Sequence, residues 1–145
     1  MGLTNLDRIH ITPLDKVVVD GGNVMHAIKS SSSGFVGFGE AYFSMVNQGA
    51  IKAWKCHHKM TLNLVVPIGE VRFVFFLAGA LNNFRVEDIG EQRYVRLTVP
   101  PQIWFGFQGR ASGHNMVMNV ADIEHDPNEV SRKQIVDVPY RWCET

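Results

Sequence analysis

The chain has 145 residues, and its 14 basic and 14 acidic side chains cancel to a formal net charge of zero. That length suits one domain, residues 1–145, burying roughly two thirds of its unfolded surface, and the neutral balance excludes a global field that recruits nucleic acid or an anionic membrane. The only cysteines, Cys56 and Cys143, have no paired spacing, which excludes a disulfide framework or a zinc knuckle.

The N-terminus reads M-G-L-T-N-L-D-R-I-H and lacks the architecture of a secretion signal; no apolar run is long enough to span a bilayer. A cytoplasmic location is expected. Short segments of period-2 alternation, rich in aromatic and β-branched residues, predict strands over 16–20, 23–29, 35–46, 50–56, 61–66, 70–76, 94–99, 103–107 and 116–120. Between them lie turn residues, among them D-G-G-N at 20–23, N-Q-G at 47–49 and P-P-Q at 100–102. The run S-S-S-S-G at 30–34 reads as a mobile loop, and residues 136–145, with two aromatics, are expected to dock on the body. No segment carries a sustained 3.6-residue apolar stripe, so no helix longer than about three turns is expected. The fold class is all-β, an antiparallel sandwich or barrel of jelly-roll type.

The stretch from Ile51 to Met60 reads I-K-A-W-K-C-H-H-K-M. In a regular strand Lys55 and His57 share one face with Ile51 and Ala53, while Lys52, Trp54 and Cys56 share the other. A metal site in a small barrel uses H-x-H on such a strand, with both imidazoles converging on one ion. Here the first of those positions is Lys55, and an ammonium repels a cation, so no metal is expected. A lysine in a pocket loses hydration of its charged form and becomes a candidate general base. The alternative is a partly exposed Lys55 whose stem packs while its ammonium reaches water.

Downstream, Asp122, Glu124, His125, Asp126 and Glu129 cluster in a charged segment that forms either a solvated loop or a rim supplying an acid or an orienting carboxylate. Trp104, in P-P-Q-I-W-F-G-F at 100–107, either fills the core or stacks on a sugar or nucleobase.

The order of these motifs resembles the dTDP-4-dehydrorhamnose 3,5-epimerase family of cupin-fold enzymes. The runs that carry the likeness are G-A-I-K-A-W-K-C-H at 49–57, V-V-P-I-G-E-V at 65–71, R-L-T-V-P-P-Q-I-W-F-G-F at 96–107, D-P-N-E at 126–129 and Y-R-W at 140–142. The family's pattern there is G-V-L-R-G-L-H-Y-Q, G-E-V, I-P-P-G-F-A-H-G-F, Y-x-P-x-x-E and a closing W. The resemblance implies a cupin-type jelly-roll barrel, a homodimer, no cofactor, and action on a nucleotide-linked 4-keto-6-deoxy sugar in cell-surface polysaccharide synthesis. It places Lys55 where the family has its base His, His125 where it has its acid Tyr, and Lys52 at the diphosphate-binding Arg. The stretch D-G-G-N-V-M-H-A-I-K at 20–29 is similar to the family's D-x-R-G segment, with Gly22 and Ala27 in place of its Arg and Glu. His26 and Lys29 are then the substrate-binding candidates beside Trp104. Asp137 lies near the place of the family's carboxylate by the closing Trp.

The related 3,4-ketoisomerases carry R-G-x-H-A-H-K on this strand, against which His57 and Lys59 match and Lys55 again replaces the first His. In that reading His57 is the base. The expected function is therefore proton abstraction beside the ketone of a nucleotide sugar, with Lys55, His57 and His125 as proton carriers. A ketoisomerase, and a barrel that binds a sugar or nucleotide without catalysis, are the competing readings.

Overall fold

The computed structural model describes residues 5–143. The first four and last two residues, parts of the N-terminal and C-terminal stretches read above, lie outside the described residues. Twelve strands follow one another: β1 (His10–Pro13), β2 (Lys16–Val19), β3 (Gly22–Met25), β4 (Glu40–Met45), β5 (Ile51–His57), β6 (Leu62–Ile68), β7 (Glu70–Phe76), β8 (Arg85–Gly90), β9 (Val95–Val99), β10 (Trp104–Gly109), β11 (Met116–Ala121) and β12 (Val130–Arg132). The helices among the described residues are three single 3-10 turns of three residues each, as the absence of a helical stripe predicts.

Two five-stranded antiparallel sheets face each other. The first has the order β1-β9-β6-β11-β4, the second β12-β5-β10-β7-β8, and β2 and β3 form a separate hairpin. Chain neighbours such as β5 and β6 fall in different sheets, so the chain crosses between the layers repeatedly, as a jelly roll does. Alternation places the core between them. Leu97 and Val99 of β9, Leu62 and Leu64 of β6, and Phe73 and Phe75 of β7 are all nearly fully buried in one cluster. Burying a large apolar side chain contributes roughly 1.5–3 kcal/mol, and this shared layer holds the sheets together.

Arg96 and Thr98, the opposite face of β9, are buried as well. Above them passes the segment after β3. Arg96 donates to the carbonyls of Ala27 and Ser33 at 2.7 and 2.9 Å and to Asn63 Oδ1 at 3.2 Å. Gly34 lies so close to Thr98 that an added Cβ would meet its Oγ1 at 2.5 Å. The serine run expected to be a mobile loop is thus anchored to the outside of the first sheet.

The second sheet has its own outer cluster, built on Trp54, Phe76 and Trp104. Tyr140 and Trp142 pack edge-to-face on each other at 4.9 Å, and Trp142 lies 5.2 Å from Trp54. The C-terminal segment therefore docks as its aromatics predict. β1, β8 and β12 have no counterpart among the expected strands, and the segment expected to be a strand over 35–46 is regular only within β4.

Candidate active site

Between the two sheets opens a cavity of about 550 Å³. One wall is the first sheet, with Tyr42 and Ser44 from β4 and Asn119 from β11; the other is the second, with Lys55 and His57 from β5, Phe105 from β10 and Arg132 from β12.

Strand β5 reaches this cavity with Lys52 as well as Lys55, which strict alternation forbids. The ladder explains it. Phe105 of β10 pairs with Lys55 while Gly106 pairs with Ala53, so Trp54 is an extra residue against β10. Such a bulge shifts the alternation by one position. Trp54 turns to the outer cluster, its backbone bonds instead to Lys133 at 3.2 and 3.1 Å, and the lysines three apart share the pocket. Gly106 is required there, because a Cβ would sit 2.5 Å from the Ala53 Cβ and 3.0 Å from the Trp54 ring.

His57 is buried at the end of β5, stacked on Phe105 with ring centroids 6.1 Å apart. Its Nδ1 is hydrogen-bonded to Glu129 Oε1. The other carboxylate oxygen of Glu129 accepts the backbone amides of Lys59 and Met60, each at 3.1 Å. Burial pushes the Glu129 carboxyl up, but the hydrogen bond from His57 and those two amides outweigh it and hold the group below the usual carboxylate range. An ionised carboxylate only accepts, so the proton between the pair sits on Nδ1 and the free lone pair of the neutral ring is on Nε2. Nε2 has no hydrogen-bond partner among the described residues, and His57 lines the cavity.

The cations on the same wall have no carboxylate partner among the described residues. Lys55 lies opposite Arg132 in the β5–β12 ladder, and Lys52 Nζ donates to the Met45 carbonyl at 2.8 Å across to the first sheet. Burial lowers the Lys55 pKa, and the charges of Arg132 and Lys52 lower it further. These three cations, with Lys133 also bordering the cavity, favour an anionic ligand.

Of the residues singled out in the sequence, Lys52, Lys55 and His57 come together here. His125 is exposed and does not line the cavity; the Pro-containing segment that carries it turns it to solvent and sends Glu129 inward instead. His26 and Lys29 line a shallow groove beside Arg96, outside the first sheet. Trp104 faces the outer cluster, stacked on Phe76 at 5.9 Å, with Lys133 Nζ 5.0 Å from its ring centroid. Asp137 borders the cavity, but its carboxylate caps the 3-10 turn by accepting from the Gln134 amide at 2.9 Å. The carboxylate that orients the histidine is Glu129. No group of three or more His, Cys, Asp or Glu capable of holding a metal ion occurs among the described residues.

Sequence reasoning did not single out Arg132, Tyr42 or Asn119 as site residues, and it named Glu129 only as one of five clustered residues that could form a solvated loop or supply an acid or an orienting carboxylate. A signal existed for Tyr42, since in E-A-Y-F-S-M at 40–45 the polar Tyr42 and Ser44 alternate with Ala41, Phe43 and Met45. Read as an ordinary half-buried strand, that pattern suggests the polar residues face solvent, whereas here they face the cavity.

No family model matches the chain, and no curated protein matches it. Solved structures do. A dTDP sugar isomerase from Desulfovibrio desulfuricans G20 is 30% identical, with a TM-score of 0.86 over 92% of this chain and 90% of that one. A sugar 3,4-ketoisomerase from Thermoanaerobacterium thermosaccharolyticum, in complex with TDP, is 13% identical with a TM-score of 0.76 over 89% and 90% of the two chains. A dTDP-6-deoxy-D-glucose-3,5-epimerase from Legionella pneumophila Philadelphia 1, in complex with dTDP-4-keto-L-rhamnose, is 14% identical with a TM-score of 0.77 over 92% and 77%. At these lower identities the last two share the fold with this chain. The barrel expected from strand spacing is thus the cupin-like barrel of sugar-nucleotide isomerases.

Proposed function

The chain belongs to the family of dTDP-sugar isomerases, and on that premise we propose that it moves a proton on a carbon beside the ketone of a dTDP-linked 4-keto-6-deoxy sugar. The observation that carries this reading is the His57–Glu129 pair in the cavity wall. The C4 ketone acidifies the hydrogens on its neighbouring carbons. His57 Nε2 takes one of them, the C–H electrons form an enolate, and the ionised Glu129 stabilises the imidazolium that results. General base catalysis of this kind supplies roughly 10²–10⁴ in rate.

The cations have a matching task. Arg132, Lys52 and Lys55 meet the negative charge of the diphosphate and the enolate. Burial disfavours the charged form of Lys55 in the free cavity, and an arriving anion restores it. Lys55 occupies the base position of the 3,5-epimerase pattern, but His57 is the group with an oriented, unoccupied nitrogen, so the base role is assigned to His57.

The leading outcome is epimerisation at C3 or C5, by reprotonation from the opposite face. The second reading is 3,4-ketoisomerisation, in which His57 returns the proton to C4; it is favoured by the K-x-H pattern that keeps His57. Incubation with dTDP-4-keto-6-deoxyglucose in deuterated water separates them. Deuterium at C3 or C5 with inverted configuration marks the epimerase, carbonyl migration to C3 marks the ketoisomerase, and binding with neither leaves a non-catalytic binder.

We further propose a homodimer working in the cytoplasm in cell-surface polysaccharide, including lipopolysaccharide, biosynthesis. Support for the dimer comes from apolar surface on the β2–β3 hairpin and around β4, where Val18 is 86% exposed, Phe38 65% and Phe43 64%. No helix among the described residues is long and apolar enough to cross a membrane.

A further inference from the structure

Tyr42 stands on β4 in the first sheet, and His57 on β5 in the second, so the cavity separates them. The hydrogen bonds behind Tyr42 fix the direction of its own proton. Asn119 Oδ1 accepts the backbone N–H of Asn63 at 3.1 Å. A backbone amide only donates, so the oxygen of the Asn119 side chain must face Asn63 and its NH₂ must face Tyr42. Asn119 Nδ2 lies 3.1 Å from the Tyr42 hydroxyl. The tyrosine oxygen therefore accepts from Asn119, and its O–H proton is left to donate elsewhere. It has no other hydrogen-bond partner among the described residues, and Tyr42 lines the cavity.

The two walls are thus set with opposite polarity. His57 has its proton held toward Glu129 and presents a lone pair; Tyr42 has its lone pair engaged by Asn119 and presents a proton. Resting on the isomerase reading above, we infer that Tyr42 is the proton donor of the reaction, delivering a proton to the enolate from the face opposite His57 and so inverting the carbon.

The step balances without a co-reactant. His57 Nε2 removes the proton from the carbon beside C4, and the C–H electron pair enters the enolate. On the return, the Tyr42 O–H bond breaks, the enolate electrons form a new C–H bond on the other face, and the C4 carbonyl reforms. The phenolate regains a proton from water, to which Tyr42 is open with 39% of its surface exposed, while His57 releases its own. Asn119, donating to the tyrosine oxygen, stabilises the phenolate between these events.

The role of opposing acid, which the family resemblance gives to His125 in the segment after β11, falls instead to a residue of β4. The test is Tyr42→Phe in the full chain, with dTDP-4-keto-6-deoxyglucose in deuterated water, following deuterium entry and inverted product separately by proton NMR. Tyr42 lines the cavity and is partly exposed, and the substitution removes one oxygen. The expected result is deuterium entry at the original configuration within a few fold of the unmodified protein, with inverted product slowed about 100-fold or more. Inverted product formed by Tyr42→Phe at the unmodified rate overturns the donor role and leaves the isomerase reading intact. Carbonyl migration without inversion in the unmodified protein does the same. Absence of any exchange in the unmodified protein removes the isomerase reading itself, and the donor role with it.

Discussion

Glu129 holds His57 from the far side of the second sheet's edge, giving one carboxylate oxygen to the imidazole Nδ1 and the other to the backbone amides of Lys59 and Met60. The arrangement ties the geometry of His57 to the fold, because the same carboxylate closes the turn that follows β5.

Glu129→Ala is expected to destabilise the protein as well as inactivate it. It leaves two amide hydrogens without an acceptor, at about 1–3 kcal/mol for a buried unsatisfied group. Glu129→Gln keeps an acceptor for those amides and removes the charge that stabilises an imidazolium. Chemical denaturation should show the Gln variant closer to the unmodified protein than the Ala variant, with kcat lowered roughly 10²-fold or more in both.

The same carboxylate gives a pH dependence with a definite sign. Its folded pKa lies below the ordinary value of 4.5, so its stabilising contribution is fully present above about that pH and is lost as the pH falls through the depressed folded value. In acid titrations of stability, Glu129→Gln should show a weaker dependence below pH 4.5 than the unmodified protein does. Equal slopes would mean that Glu129 is not charged in the folded state.

Lys55 carries the opposite sign. Burial and the neighbouring cations lower its folded pKa below 10.5, so its charged form costs folding stability at neutral pH, and the cost is relieved as pH rises toward 10.5. Lys55→Met should therefore raise Tm at pH 7, at roughly 2–4 °C per kcal/mol relieved in a chain of this size, while weakening dTDP binding measured by calorimetry. A stability gain with a binding loss is the pattern expected where a site is held in a strained electrostatic state.

Asn119→Asp tests the hydrogen-bond logic of the first wall. A carboxylate accepts from both Asn63 and Tyr42, so it draws the tyrosine proton away from the cavity. Inversion should fall although the Tyr42 hydroxyl is still present, and deuterium entry should persist. Unchanged inversion would mean that the direction of the Tyr42 proton is immaterial.

Much of the fold was legible, because Val95, Leu97 and Val99 alternate cleanly and β7 is bounded by Gly69 and the turn after Phe76. β1, β8 and β12 were not. β12 is three residues long, β1 ends in Pro13, and β8 carries Arg85, Glu87 and Asp88, whose charges are matched by ion pairs with each other, with Arg93 and with Arg72. In the site, His57 could be read from the strand pattern. The shared face of Lys52 and Lys55 could not, since the bulge depends on Gly106 of the neighbouring strand. Nor could the pairing of His57 with Glu129, which joins residues 72 apart in the chain.

Whether His57 is the base is decided by solvent deuterium entry into dTDP-4-keto-6-deoxyglucose catalysed by His57→Asn beside the unmodified protein, followed by proton NMR. With His57 as the base, deuterium enters a carbon next to the ketone with the unmodified protein and exchange is slowed by roughly 10²–10⁴ in the variant, while dTDP binding is retained. Exchange by His57→Asn at the unmodified rate would contradict it.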